Sequence, residues 1–328
     1  MSFDPSLEVP LEKGPGTSLW SENFALLMND QEHRLGLLYS IGTWYHDPSI
    51  WREQLYLCLP GGRVLTARNF GQRPQDVTVG SAFSRYQIVE AGQRVHLAYS
   101  GPVWSQNFAA LLQPGALGGS TERLQLDIEF VAAAPVWDMH AGHGSDSTSI
   151  AGAMHIEQIG HCSGRIEYAG GGFDIRAAYA CRDHSRGQRD VSRYRNHCWI
   201  NGRFDNGLSF QLYVFRLHGV EGHALSTAVV MQDGRQYPAT IEHIEFVEGA
   251  TDHGKLHRVI LRSELGEMVC QVDDVLGSIP VSMTAPFNPG PGAVQERHAL
   301  IFDEPIRLNW DGHVGYGWCE RGASLQPL

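Results

Sequence analysis

The chain of 328 residues is 42% hydrophobic and carries a formal net charge of −11. That composition supports a substantial core or two domains, and the acidic balance argues against a nucleic-acid or anionic-membrane partner, which calls for a basic stripe. The N-terminal stretch MSFDPSLEVPLEKGPGTSLW lacks the basic and apolar blocks of a signal peptide. No run approaches the roughly eighteen apolar residues of a membrane span, so a cytoplasmic protein is expected.

Read in chain order, short runs rich in Val, Ile, Tyr and Phe alternate with turn dipeptides. Strands are predicted near 35–41, 53–58, 63–67, 79–88, 93–99 and 122–131, with one short helix within 104–112. A Gly- and Ser-rich stretch, HAGHGSDSTSIAG (140–152), reads as a linker. Beyond it, strands are predicted near 165–168, 173–181, 197–204, 208–217, 226–232, 241–247, 256–263, 267–272 and 298–301. Asn206-Gly207 between two such runs predicts a hairpin with a type I′ turn. APFNPGPGAV (285–294) reads as a barrel-rim loop or an oligomer contact, which leaves a homodimer open. Many short strands parted by turns predict an all-β fold of barrels or sandwiches. The linker divides the chain into an N-terminal extension (1–17), a first unit (18–150) and a second (151–328).

Titratable residues concentrate in the stretch 155–204. Phe173, Ile175, Ala177, Tyr179 and Cys181 alternate with polar or small residues, the period of a half-buried strand. Arg182, Asp183, His184, Arg186, Arg189 and Asp190 crowd the predicted loop that follows. Upstream, His155 and Glu157 stand two apart on an extended chain and share a face, as an oriented acid–base pair would. Asp183 and His184 are adjacent and point oppositely if extended. Arg182 and Arg189 beside Asp183 favour its carboxylate, whereas burial favours a neutral acid. A solvated turn laced with Arg–Asp pairs is the structural alternative.

RDHSRGQRD resembles the RDHSWGxRD element of an uncharacterised bacterial family related to carotenoid 1,2-hydratases (hydroxyneurosporene synthases) and lipocalin-like tocopherol cyclases. SENFALLMNDQEHRLGLLYSIG, HIEQIGHCSGRIEYAG and GYGWCERG fit the same pattern, so the likeness spans residues 18–322. Arg186 stands where that pattern has Trp, a cation in place of an aromatic wall. The resemblance implies two calycin (lipocalin)-like β-barrels packed together, with His155 and Glu157 in a barrel lumen. It also implies an aspartate, Asp183, as the acid that protonates an alkene.

The catalytic candidates are therefore Asp183, His184, His155 and Glu157. Candidates for holding substrate are Arg189, Arg186, Trp199, Trp318 and Glu320, the last two sharing a face across Cys319. Trp44, Tyr45, Trp51, Trp104, Trp137 and Tyr316 complete an aromatic set able to wall a pocket. Six cysteines without CxxC spacing read as buried, reduced thiols, with Cys181 and Cys198 the two nearest the charged cluster. His140 and His143 have HxxH spacing in a loop, and His155, Glu157 and His184 form a conceivable facial triad. Neither is a standard metal motif, so no metal is assigned. Nucleotide loops and serine elbows are absent from the sequence, so no cofactor is assigned either. What remains is proton-transfer chemistry by side chains: a cofactor-independent hydratase, lyase or isomerase on a hydrophobic terpenoid, steroid-like or aromatic molecule. A lipocalin-like carrier of such a ligand is the alternative.

Overall fold

The computed structural model describes residues 3–11, 19–112, 119–140, 152–285, 288–291 and 298–328. The 140–152 linker, His143 and much of the 285–294 loop thus lie wholly or largely outside the described residues.

Eleven strands build the first sheet: β1 (Trp20–Asp30), β2 (Leu35–Trp44), β3 (Asp47–Leu59), β4 (Arg63–Gln72), β5 (Val79–Gly80), β6 (Ser84–Glu90), β7 (Arg94–Asn107), β8 (Ser120–Ala132), β9 (Trp137–Asp138), β10 (Met154–Tyr168) and β11 (Gly171–Gln188). Their pairing order β4-β3-β2-β1-β11-β10-β8-β7 closes on itself through β4–β7, an up-and-down ring of eight. A second sheet holds β12 (Tyr194–Phe204), β13 (Ser209–Leu217), β14 (Leu225–Gln232), β15 (Arg235–His243), β16 (Arg258–Ser263), β17 (Gly266–Val275), β18 (Ile279–Thr284), β19 (Asn288–Pro289), β20 (Ala299–Trp310) and β21 (His313–Ala323). Here β17-β16-β15-β14-β13-β12-β21-β20 closes through β17–β20, again a ring of eight. The two-barrel, lipocalin-like fold is therefore the fold of this chain, and α1 (Phe108–Leu111) is a single turn capped by the Asn107 side chain.

Two sequence expectations are corrected. The division at about 150 is displaced: β10 and β11 complete the first ring, and the chain passes to the second sheet between Gln188 and Tyr194. The hairpin at Asn206-Gly207 forms, but with φ positive at Gly207 and not at Asn206. The Phe204 and Leu208 backbones close a three-residue loop with glycine in the left-handed position, so the turn is not type I′.

Three large apolar clusters explain the architecture. One fills the first barrel (Phe24, Leu26, Leu97, Ile128), and another fills the second (Ile200, Phe210, Leu261, Leu308). The third draws on both sheets, packing Leu27, Leu38, Tyr179 and Cys181 against Trp199, Tyr213, Ile301 and Trp318. Strands flanking this seam are buried on both faces: β1 has ten of eleven residues buried, whereas β8, away from the seam, alternates. Loss of alternation is why β1, β18 and β21 escape a period-2 reading of the sequence. Polar groups also cross the seam. Asn29 Nδ2 donates to the Ile306 and Gly317 carbonyls at 3.0 and 2.9 Å, and Tyr179 Oη donates to Asn201 Oδ1 at 2.5 Å.

The predicted single face of Phe173, Ile175, Ala177, Tyr179 and Cys181 is broken by a β-bulge. Cys162 pairs with Ala178 but Gly164 pairs with Ile175, so Arg176 and Ala177 oppose Ser163 alone. Ala177 takes φ 50°, and its N–H is held by Ser163 Oγ at 2.9 Å. Before the bulge odd residues face the first barrel's interior; after it Ala178 and Ala180 do, while Tyr179 and Cys181 face the second barrel. β11 then runs on to Gln188, so the predicted charged loop is mostly strand. Any residue with a Cβ pays about 1–2 kcal/mol at this left-handed position, and β-branching adds to that cost. Ala177→Val is expected to lower stability in denaturant unfolding, while Ala177→Gly does not.

Candidate active site

Past the bulge, Asp183 points into the seam between the barrels, and its cross-strand neighbour Glu157 points with it. His155, two residues before Glu157 on β10, places Nε2 3.1 Å from Asp183 Oδ2 and 3.5 Å from Glu157 Oε1. The second barrel contributes Trp199, whose Nε1 donates to Glu157 Oε2 at 2.8 Å. Burial pushes the Glu157 carboxyl well above its ordinary range against the help of that indole, and Asp183 and Glu320 add to the rise. His155 and Glu157 thus come together as predicted, but in the seam and not in a barrel lumen.

A matching group stands on the second barrel. Glu320 of β21 hydrogen-bonds His197 of β12, with Nε2 and Oε1 2.5 Å apart. Burial drives the His197 pKa down to about 3, so its ring is neutral. Burial also holds the Tyr194 phenol well above its ordinary value, so it keeps its hydroxyl proton beside His197 Nδ1. The neutral ring carries one proton, on Nδ1 or Nε2, and links Tyr194 to Glu320 with either tautomer. Glu320 is pushed up to about 8, first by burial and then by Asp183, against the pull of Asp303 and Arg189. Asp303, across from Glu320 on β20, accepts from Trp318 Nε1 at 2.7 Å.

Of these groups, Asp183, His155, Trp199, Tyr194, His197, Glu320 and Asp303 border a cavity of about 110 Å³ between the barrels. Asp183, His155, Arg189, Asp303, Glu320 and His197 supply its polar wall; Trp199, Tyr213, Phe215, Leu38 and Met283 supply apolar surface. Several buried atoms have no hydrogen-bond partner, among them Asp183 Oδ1, Glu157 Oε1, Asp303 Oδ2 and Gln54 Oε1. Buried polar atoms are rarely left so unless a ligand or water meets them. Carboxyls held neutral beside a second carboxyl and an imidazole are the equipment of general acid–base catalysis.

Other sequence candidates fall elsewhere. His184 faces the first barrel's interior, stacked on Phe24 at 3.8 Å between ring centroids, with Nε2 2.9 Å from Glu22 Oε1. Burial lowers its pKa, so the neutral ring braces Glu22, which also accepts from the Leu11 N–H. A metal triad of His155, Glu157 and His184 is thereby ruled out by direction. Arg182 also faces inward, bound to Glu8 and Gln158, and so does not flank the Asp183 carboxylate. Arg186 sits at the barrel rim, donating to the Val9 carbonyl at 3.1 Å, and does not border the cavity. Trp318 backs Asp303 without lining the cavity, and of the predicted aromatic set only Trp199 reaches it. Cys181 and Cys198 are buried, and that burial pushes their thiols up, Cys198 to about 12, so neither is a ready thiolate. Sequence reasoning missed Asp303, His197, Tyr194 and Tyr213. His197 alone carried a signal, its place two residues before Trp199 on a predicted strand.

A family model described as a domain of unknown function, DUF7064, matches residues 4–323. The chain belongs to the DUF7064 family. No curated protein matches its sequence significantly. Among solved structures, this DUF7064 chain is similar to a Nitrosomonas europaea protein assigned as AttH (TM-score 0.57, 13% identity, covering 94% of this chain and 98% of that one). It is also similar to kievitone hydratase from Nectria haematococca (TM-score 0.51, 10% identity, 97% and 94% covered). CghA follows (TM-score 0.51, 10% identity, 94% and 88% covered). At these identities the likeness is one of fold. No helix among the described residues is long and apolar enough to cross a membrane.

The raised Glu320 pKa has a thermodynamic consequence. The folded chain holds this proton up to about pH 8, whereas the unfolded chain releases it near 4.5. Between those values the native state binds more protons, so its contribution to stability is fullest below pH 4.5 and declines as pH rises toward 8. Glu320→Gln is expected to flatten that decline in melting curves recorded across the same window.

Proposed function

We propose that this DUF7064 protein is an acid–base hydratase, dehydratase or isomerase working in the cavity between its barrels. The reading rests on one observation: Glu320, held protonated, borders the same cavity as Asp183 and His155. In the hydration direction, Glu320 gives its proton to one carbon of a C=C bond. Water adds to the other carbon, and Asp183 with His155 takes the proton that water sheds. The net change is one H and one OH added, and Glu320 is reloaded from solvent. Dehydration is the reverse, and an allylic shift uses the same two proton transfers without water. Trp199, Tyr213 and Phe215 would shelter the electron-poor carbon.

Size narrows the substrate. An engineered cavity of about 150 Å³ takes benzene, and pockets for drug-sized ligands run to roughly 300–1,000 Å³. The 110 Å³ here holds about one small ring, so a terpenoid or steroid would enter with one end only. A fold shared with kievitone hydratase agrees with this class without specifying a substrate.

Glu320→Gln and Asp183→Asn each keep shape and remove a proton-transfer group. Turnover of a cyclic alkenol or enone by either variant is expected to fall by about 10²-fold or more with melting temperature nearly kept. His184→Gln should instead lower stability and spare turnover. Tight binding of such compounds with no turnover by the unmodified protein would favour the carrier reading.

A further inference from the structure

The two carboxyl pairs occupy the same place in their barrels. Asp183 lies on the strand that closes the first ring, opposite Ala25 on that ring's first strand and Glu157 on its penultimate one. Glu320 lies on the strand that closes the second ring, opposite Trp199 on its first strand and Asp303 on its penultimate one. Asp303 is thus the positional counterpart of Glu157. Both accept an indole N–H from the second barrel, Glu157 from Trp199 at 2.8 Å and Asp303 from Trp318 at 2.7 Å. Both keep one oxygen without a partner while 1% exposed, and Asp303 borders the cavity.

The second group packs two carboxyls with few donors. Tyr194 and Glu320 both hydrogen-bond His197, and Trp318 donates to Asp303. Asp303 and Glu320 are cross-strand neighbours bordering the same cavity. Two carboxylates so placed away from water repel each other, which favours keeping a proton on one of them. We propose that Asp303 is a working partner of Glu320, the two carboxyls holding a proton between them at the cavity wall. Building on the acid–base reading above, this assigns a substrate class: a molecule that gains a proton at one atom, facing Asp303–Glu320, and releases one at another, facing Asp183 and His155. Burial is the first cause of the raised Asp303 pKa, with Glu320 next, which accords with a shared proton. The other charged or titratable groups near Glu320 or Asp303 are His197, Asp183, Glu157, Arg189, Glu304, Tyr56, Tyr194, Tyr213 and Cys198.

The test uses the full chain with ¹³C-labelled glutamate carboxyls, its own side chains serving as the probe, titrated by NMR and infrared spectroscopy. The Glu320 signal, assigned through Glu320→Gln, is expected to titrate in two coupled steps and to collapse to one in Asp303→Asn. Should Asp303→Asn not fold, Trp318→Phe removes the donor on Asp303 and is expected to raise the pair's proton affinity, moving the Glu320 midpoint. A Glu320 titration that is one-step from the outset, or unmoved by whichever variant folds, overturns the shared proton and leaves the acid–base reading standing. Full turnover by Glu320→Gln overturns that reading and leaves the titration result intact.

Discussion

One extra residue in β11 decides which way the chemistry faces. Without the bulge at Ala177, period-2 alternation would carry Asp183 into the first barrel and turn His184 outward. With it, Asp183 reaches the seam while Arg182 and His184 become internal braces, bonded to Glu8 and Glu22. β10 has no compensating phase change of this kind before Glu157, so His155, Glu157 and Asp183 meet only because β11 shifted. A bulge conserves the hydrogen-bonded ring on either side and spends its cost locally, in the left-handed Ala177.

What the seam does to these carboxyls follows from desolvation. Two barrels with filled interiors pack face to face, and the groups caught between them leave water. Each carboxylate then lacks hydration, and indole donors from Trp199 and Trp318 return only part of what is lost. Glu157, Asp303 and Glu320 are pushed toward the neutral acid, which is the state that can deliver a proton. The lumens are different: they are filled by side chains such as Phe24, Leu97, Phe210 and Leu261, so neither serves as a ligand chamber of lipocalin type. The site moves from inside a barrel to between two of them.

How much of this the sequence revealed follows from burial. Strands with one wet face, such as β8, announce themselves by alternation, and turn residues such as Asn206-Gly207 mark their ends. That much was enough for an all-β, two-barrel expectation. Strands in the seam are apolar on both faces and give no period, so β1 and β21 were legible only through motif resemblance. His155, Glu157, Asp183 and Glu320 were legible as chemistry because charged residues are unusual beside such runs. Their meeting was not, because a bulge has no signature when the extra residue is alanine and not glycine. Asp303 was hidden for a plainer reason: the strand predicted near 298–301 stops short of it, whereas pairing with β18 and β21 makes it central strand.

The central claim is that ligand binds between the barrels, on the face that the Ala177 bulge presents. An NMR footprint of cyclohexenol on the methyl- and indole-labelled protein tests it most directly. The account predicts shifts at Trp199, Met283 and Ile301, which border the seam cavity. Shifts confined to Met28, Leu97 and Ile128, inside the first barrel, would contradict it.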